Sequence, residues 1–205
     1  MPPIIFDLQA AYDWIEAQCN DPDVRYSQPY RNMRTVNGIT YFDCSSLMFF
    51  GLWQGGGFPV GTYGFSTTLS DYTTAGTANA WTVQTMEPIL VQAGWVDVRL
   101  DMPEEWLPGD ILIHYADNSG PWHTEMIYSG SPNYMQMGAR SSQIQPASEQ
   151  VAIHTLYVPN YYNRILRDSS QPAPTPGPGP GPHPGPTYQM PIWLIKRAKE
   201  MNGLL

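Results

Sequence analysis

The sequence predicts an α+β domain, with N-terminal helices packed on an antiparallel β-sheet. Three observations carry this. Helical spacing of apolar residues prevails up to about residue 93, strand-like runs separated by Gly, Pro, Asn and Ser fill residues 95–158, and a Pro/Gly-rich stretch follows. Helices gathered first and strands afterwards imply an antiparallel sheet rather than alternating βαβ units. The chain has 205 residues and is 42% hydrophobic. That suits one domain with a core, residues 1–168, followed by a linker and a short appendage.

Phe6 to Cys19 reads as an amphipathic helix capped by Asp7, with Phe6, Ala10, Trp14 and Ala17 at helical spacing. Residues 20–40 are rich in turn signals, including Asn37-Gly38. A second helix is expected from Cys44 to Trp53, stopped by Gly55-Gly56-Gly57. Residues 58–80 read as a long surface loop. Trp53, Tyr63, Phe65, Tyr72 and Trp81 crowd around that loop as exposed aromatics able to line a groove, or else pack as core. Thr85 is expected to cap a third helix reaching Ala93, with Pro88 in its first turn. Strands are expected at 95–100, 110–115, 123–129, 134–139 and 152–158. Residues 169–187 form a Pro/Gly linker that cannot build a core. Ile192, Leu194, Ile195, Ala198 and Met201 could share one face of a short helix in residues 188–205. Eighteen residues cannot bury a core alone, so this segment is a docking helix or the start of a further domain.

Charge narrows the function. Up to Asp168 there are 7 Arg against 17 Asp and Glu, a net of −10. Such an acidic domain argues against nucleic acid as a partner, because phosphate binding needs clustered Lys and Arg. Two cysteines make no disulfide framework, and Cys19 is expected to be a buried free thiol. The start, Met1-Pro2-Pro3-Ile4-Ile5-Phe6, lacks the basic-then-apolar pattern of a signal peptide. No apolar run is long enough to span a bilayer. The expectation is a soluble monomer made in a cytoplasm.

Cys44 is the most informative single residue. It stands where a polar turn enters an apolar helical stretch, in Phe42-Asp43-Cys44-Ser45-Ser46-Leu47. The partial positive charge at a helix start favours the thiolate, the reactive form of cysteine. His123 follows 79 residues later, heading a strand-like run. Cysteine and histidine remote in sequence can meet as nucleophile and base. Zinc would need three or four ligands, and no His-x-x-x-His or Cys-x-x-Cys spacing supplies them, so no metal or cofactor is expected. His114 sits in an apolar strand and reads as a packed or surface residue, and His183 in the linker as solvated.

Three segments then suggest a family. Phe42-Asp43-Cys44-Ser45-Ser46-Leu47, Leu107-Pro108-Gly109-Asp110-Ile111 and His123-Thr124-Glu125-Met126-Ile127 resemble, in order and spacing, the signatures of NlpC-type peptidoglycan hydrolases. Phage lysins of streptococcal type are the branch most similar, and the resemblance covers about residues 5–160. It implies a papain-like fold, Cys44 as nucleophile and His123 as base. The third triad member in that family is a His, Asn or Gln on the next strand. Gln136 takes that place, with His154 a strand further on as its rival. Tyr26 matches a tyrosine near the family's catalytic site, and Asp43 and Ser45 flank the nucleophile as oxyanion or substrate residues. Two departures stand out: Ser46 and Glu125 where glycine is usual. The implied substrate is bacterial peptidoglycan, cut at an amide of the stem peptide, with the γ-D-glutamyl–diamino acid bond favoured over N-acetylmuramoyl-L-alanine. A degenerate, wall-peptide-binding module, with the helix in residues 188–205 docking to a partner, is the non-enzymatic alternative, and the resemblance also allows residues 188–205 to begin a cell-wall-binding domain. A lysin without a signal peptide would reach the wall through a membrane hole made by another protein.

Overall fold

The computed structural model describes residues 6–74, 76, 78–98, 106–116, 120–130, 135–155 and 163–176. His183, most of the linker, and the expected helix in 188–205 lie outside the described residues, as does the end of the expected strand at 95–100.

The domain is mixed α+β. Helix α1, Leu8–Asn20, starts at Asp7, whose carboxylate accepts from Ala10 N at 3.0 Å. Its buried face is Leu8, Ala11, Tyr12, Ile15, Glu16 and Cys19. This corrects the expected stripe: Ala10 and Trp14 flank the contact and Ala17 is exposed. Tyr12 donates to the Tyr128 carbonyl at 2.8 Å, and Tyr128 donates to Glu16 at 3.0 Å. That pairing lets a carboxylate sit on the inner face.

The turn-rich segment 20–40 and the two residues after it contain a small sheet: β1 Val24–Tyr26, β2 Asn32–Val36 and β3 Ile39–Phe42. The strand order is β1-β3-β2. Asn37 and Gly38 both have positive φ, 52° and 82°. They make the β2–β3 hairpin turn that an Asn-Gly pair favours.

Helix α2, Cys44–Phe50, follows at once, and all seven of its residues are buried. Asp43 and Ser46 cap each other reciprocally. The α-helix ends at Phe50, short of the expected Trp53, and continues as a π-helical turn, Gly51–Gly55. The glycines here permit close approach as well as termination. A Cβ on Gly51 would lie 2.2 Å from Ile15 Cγ1, and one on Gly55 2.5 Å from Trp14 Cβ.

The expected surface loop at 58–80 contains a 3-10 turn, Val60–Tyr63, and a short helix α3, Leu69–Thr73. Tyr72 and Trp81 are buried, and Trp53, Tyr63 and Phe65 are partly buried against the same core. The aromatics therefore build the core rather than a free groove wall. Phe49 stands at their centre, within 5.1–5.8 Å of the rings of Phe50, Trp53, Phe65, Tyr72 and Trp81. Helix α4, Val83–Gln92, is capped by Thr82, and Thr85 is the second half of its capping box. Pro88 consequently lies inside the helix rather than in its first turn.

The second sheet comprises β4 Val96–Asp97, β5 Ile111–Ala116, β6 Gly120–Ser129, β7 Met135–Ala139, β8 Val151–Thr155 and β9 Asn163–Arg167. Its order is β4-β9-β5-β6-β7-β8, antiparallel throughout. β9 was not foreseen. It enters between β4 and β5 and is fixed by Arg167, whose Nε and a terminal amino group donate to Asp110 at 2.8 and 2.7 Å. Ile111, Ile113, Met126, Met137 and Leu166 join the helical core, while Leu112, Ile127 and Ile165 pack with Trp106 in a second cluster. Both faces of the sheet are thus covered.

The start of the linker is not free. Leu8 N donates to Gln171 at 2.8 Å, Thr175 N donates to Gln9 at 2.7 Å, and Pro174 is buried beside Gly109. This strap ties the end of the domain to the start of α1.

Candidate functional site

The nucleophile side is built by β3 running straight into α2. Cys44 is the first residue of the helix and 5% exposed. Asp43, immediately before it, is 3% exposed and fully engaged. One oxygen accepts from Ser46 N at 2.8 Å and from Ser45 Oγ at 3.2 Å, and the other pairs with Arg31 Nε at 2.7 Å. Arg31 also donates to Ser45 Oγ at 2.9 Å and to the Trp81 carbonyl. Asp43 and Ser45 are therefore committed to fixing the helix start, and Arg31, which the sequence did not single out, holds both.

Tyr26 lies close enough to Cys44 and Asp43 for their negative charge to help raise its phenol pKa, after burial, the larger cause. Tyr26 Oη accepts from Gln28 Nε2 at 2.6 Å, so the phenol's own proton remains available to another acceptor.

The base side is built by β6 and β8. The His123 ring stands beside the Cys44 side chain and the Glu125 carboxylate. His123 Nε2 lies 3.3 Å from Glu125 Oε1. Residues i and i+2 on a strand share a face, so the His-x-Glu spacing alone aims both side chains the same way. Burial disfavours charge on His123. The nearby Glu125 carboxylate and then the Cys44 side chain overcome that and push the imidazole up to about 10. Glu125 is 1% exposed. Burial opposes its ionisation, yet His154 and His123 hold it well below the usual carboxylate range.

His154, on β8, donates from Nε2 to the same Glu125 Oε1 at 2.9 Å. Strand β7 lies between, and Gly138 makes the crossing possible. A Cβ on Gly138 would come within 2.7 Å of Glu125 Cγ. Glycine here leaves the space the carboxylate uses.

Gln136, the expected orienter, is buried on β7, opposite Ile127 and His154. Its side-chain oxygen has no hydrogen bond among the described residues. Glu125 is the carboxylate that contacts His123, in a place where the family pattern prompts a search one strand further on. His114 is buried and stacks on His123 at 5.5 Å, and Trp122, 48% exposed, lies 5.4 Å from the His123 ring. Cys19 is buried and free, with its thiol pushed up chiefly by burial and then by Glu125.

Among the described residues, no group of three His, Cys, Asp or Glu side chains could hold a metal ion, and no helix is long and apolar enough to cross a membrane. No protein-family model and no curated protein matches the chain.

Proposed function

We propose that the protein is a cysteine hydrolase of the NlpC type, with a papain-like arrangement of nucleophile and base, that cleaves an amide bond in the stem peptide of bacterial peptidoglycan. One observation carries this reading: the His123 ring stands beside the Cys44 side chain and 3.3 Å from a buried carboxylate. That is the relation a thiol nucleophile, its base and an orienting group require.

In the proposed reaction the Cys44 thiolate attacks the scissile carbonyl carbon. The oxyanion that forms is met by the proton of Tyr26. The C–N bond breaks as protonated His123 gives its proton to the departing amine, leaving an acyl thioester on Cys44. Water then attacks the thioester and yields its proton to the neutral imidazole, and the tetrahedral species expels the thiolate. An imidazole held cationic by Glu125 is suited to the first proton transfer. The resemblance to the lysins favours the γ-D-glutamyl–diamino acid bond.

Purified peptidoglycan incubated with the protein and analysed by mass spectrometry tests this. New amines on the diamino acid support the endopeptidase, and new N-terminal L-alanine would indicate the amidase instead. Digestion by Cys44→Ala at the wild-type rate, or no digestion by the wild type, overturns the proposal.

A further inference from the structure

We infer that Glu125 is the positioning residue for His123, and that His154 fixes Glu125 from the far side of strand β7. The inference rests on the hydrolase reading above for its catalytic meaning, though not for its geometry. A single oxygen, Glu125 Oε1, sits 3.3 Å from His123 Nε2 and 2.9 Å from His154 Nε2. The other ring nitrogen of His154 lies 3.0 Å from the Thr155 carbonyl, so that imidazole is held at both ends. The missing side chain at Gly138 opens the path between strands. Together these make a chain from His154 through Glu125 and His123 to Cys44.

A carboxylate in this position does two things that a neutral amide cannot do equally. It accepts from the imidazole and fixes its orientation, and it supports a cationic ring electrostatically in a dry setting. The groups facing the pair are Cys44 from α2, His114 from β5, His154 from β8 and Cys19 from α1. Of these, His154 donates to the carboxylate and Cys44 stands beside the imidazole, while Glu125 Oε1 is the carboxylate oxygen 3.3 Å from the His123 ring.

The test compares Glu125→Gln and His154→Gln with the wild type. The first keeps shape and removes charge. Its kcat on peptidoglycan should fall about a hundredfold with KM nearly unchanged. The alkaline limb of its kcat profile and the His123 titration followed by NMR should both move down by more than one pH unit. His154→Gln keeps a donor toward Oε1 and should lose less than about tenfold. Should Glu125→Gln not fold, His154→Ala provides the reading: losing the donor that fixes Glu125 should lower kcat more than His154→Gln does. Folded Glu125→Gln with wild-type kcat and an unmoved His123 titration overturns the inference, as does equal activity of the two His154 variants where Glu125→Gln does not fold. The NMR titration needs no turnover. A wild type that leaves peptidoglycan intact therefore sinks the hydrolase reading, while the His123 shift still decides the role of Glu125.

Discussion

Two buried carboxylates flank the reactive pair, and they are used differently. Asp43 spends both oxygens on static partners: a backbone amide and a serine on one, an arginine on the other. Glu125 gathers two histidines onto one oxygen, and its Oε2 has no hydrogen bond among the described residues. Desolvating a carboxylate is costly in either case. At Asp43 the compensation is a helix cap and a fixed ion pair with Arg31, and it sets where the sulfur stands. At Glu125 it is electrostatic, and it sets the charge of the group the sulfur meets. A rigid nucleophile platform and a charge-tuned base are thus built from the same side-chain chemistry by changing only the partners.

The largest expected effect separates chemistry from architecture. Cys44→Ala should lose at least about a thousandfold in peptidoglycan digestion, since the residual rate of a hydrolase stripped of its nucleophile is small. Its thermal midpoint should change little, because the cap of α2 rests on Asp43 and Ser46 rather than on the sulfur. Next comes Asp43→Asn. It removes the charge that Arg31 faces and should cost about 3 kcal/mol of unfolding free energy in a denaturant titration. Gly138→Ala should follow. Its Cβ meets Glu125 Cγ at 2.7 Å, so overpacking should cost about 1–3 kcal/mol and displace the carboxylate. It should also lower kcat without removing any charged group. If Asp43→Asn and Gly138→Ala proved equal in both stability and activity, the contrast between the two carboxylates would fail.

A gentler probe is pH. The His123 value in the fold, about 10, lies above its ordinary 6.5. The stability it contributes is therefore fully present below about 6.5 and lost as pH rises through about 10. Glu125 is shifted the other way. Its contribution is present above the ordinary 4.5 and lost as pH falls through its lower folded value. The thermal midpoint should decline toward pH 10, and Glu125→Gln should flatten that alkaline decline. The smallest effect is expected at Trp122, half-exposed beside His123. Trp122→Ala should leave stability within about 0.5 kcal/mol of the wild type.

The same contrast explains what could be read from the chain. The helix start at Cys44 was legible because Asp43, Ser45 and Ser46 are local capping chemistry followed by an apolar run. Strands β5 to β8 were legible because apolar, β-branched and aromatic runs are bounded by turn residues. Strands β1 to β3 were not, since β2 and β3 are short and largely only half-buried, with the burial set by tertiary contacts. Asn37-Gly38 was recognised as a turn signal, but not as a hairpin. For the aromatics around residues 58–81 a groove wall and core packing both stood open, since no local pattern reveals that they converge on Phe49. The partner of His123 was missed for a related reason. The family pattern directs attention one strand further on, to Gln136, while the strand-face rule applied to His123 and Glu125 points to the carboxylate next door but one. His154 joins only through the space left by Gly138, a non-local coincidence that spacing cannot express.

The most direct test of the account is the alkylation of the two thiols by iodoacetamide near pH 6, resolved by peptide mapping, in the wild type and in His123→Ala. Both cysteines are buried, and they differ in that Cys44 stands beside an imidazole. The account predicts that Cys44 is labelled well ahead of Cys19 and loses that lead in His123→Ala. Equal labelling of the two cysteines, or a Cys44 rate indifferent to His123, would contradict it.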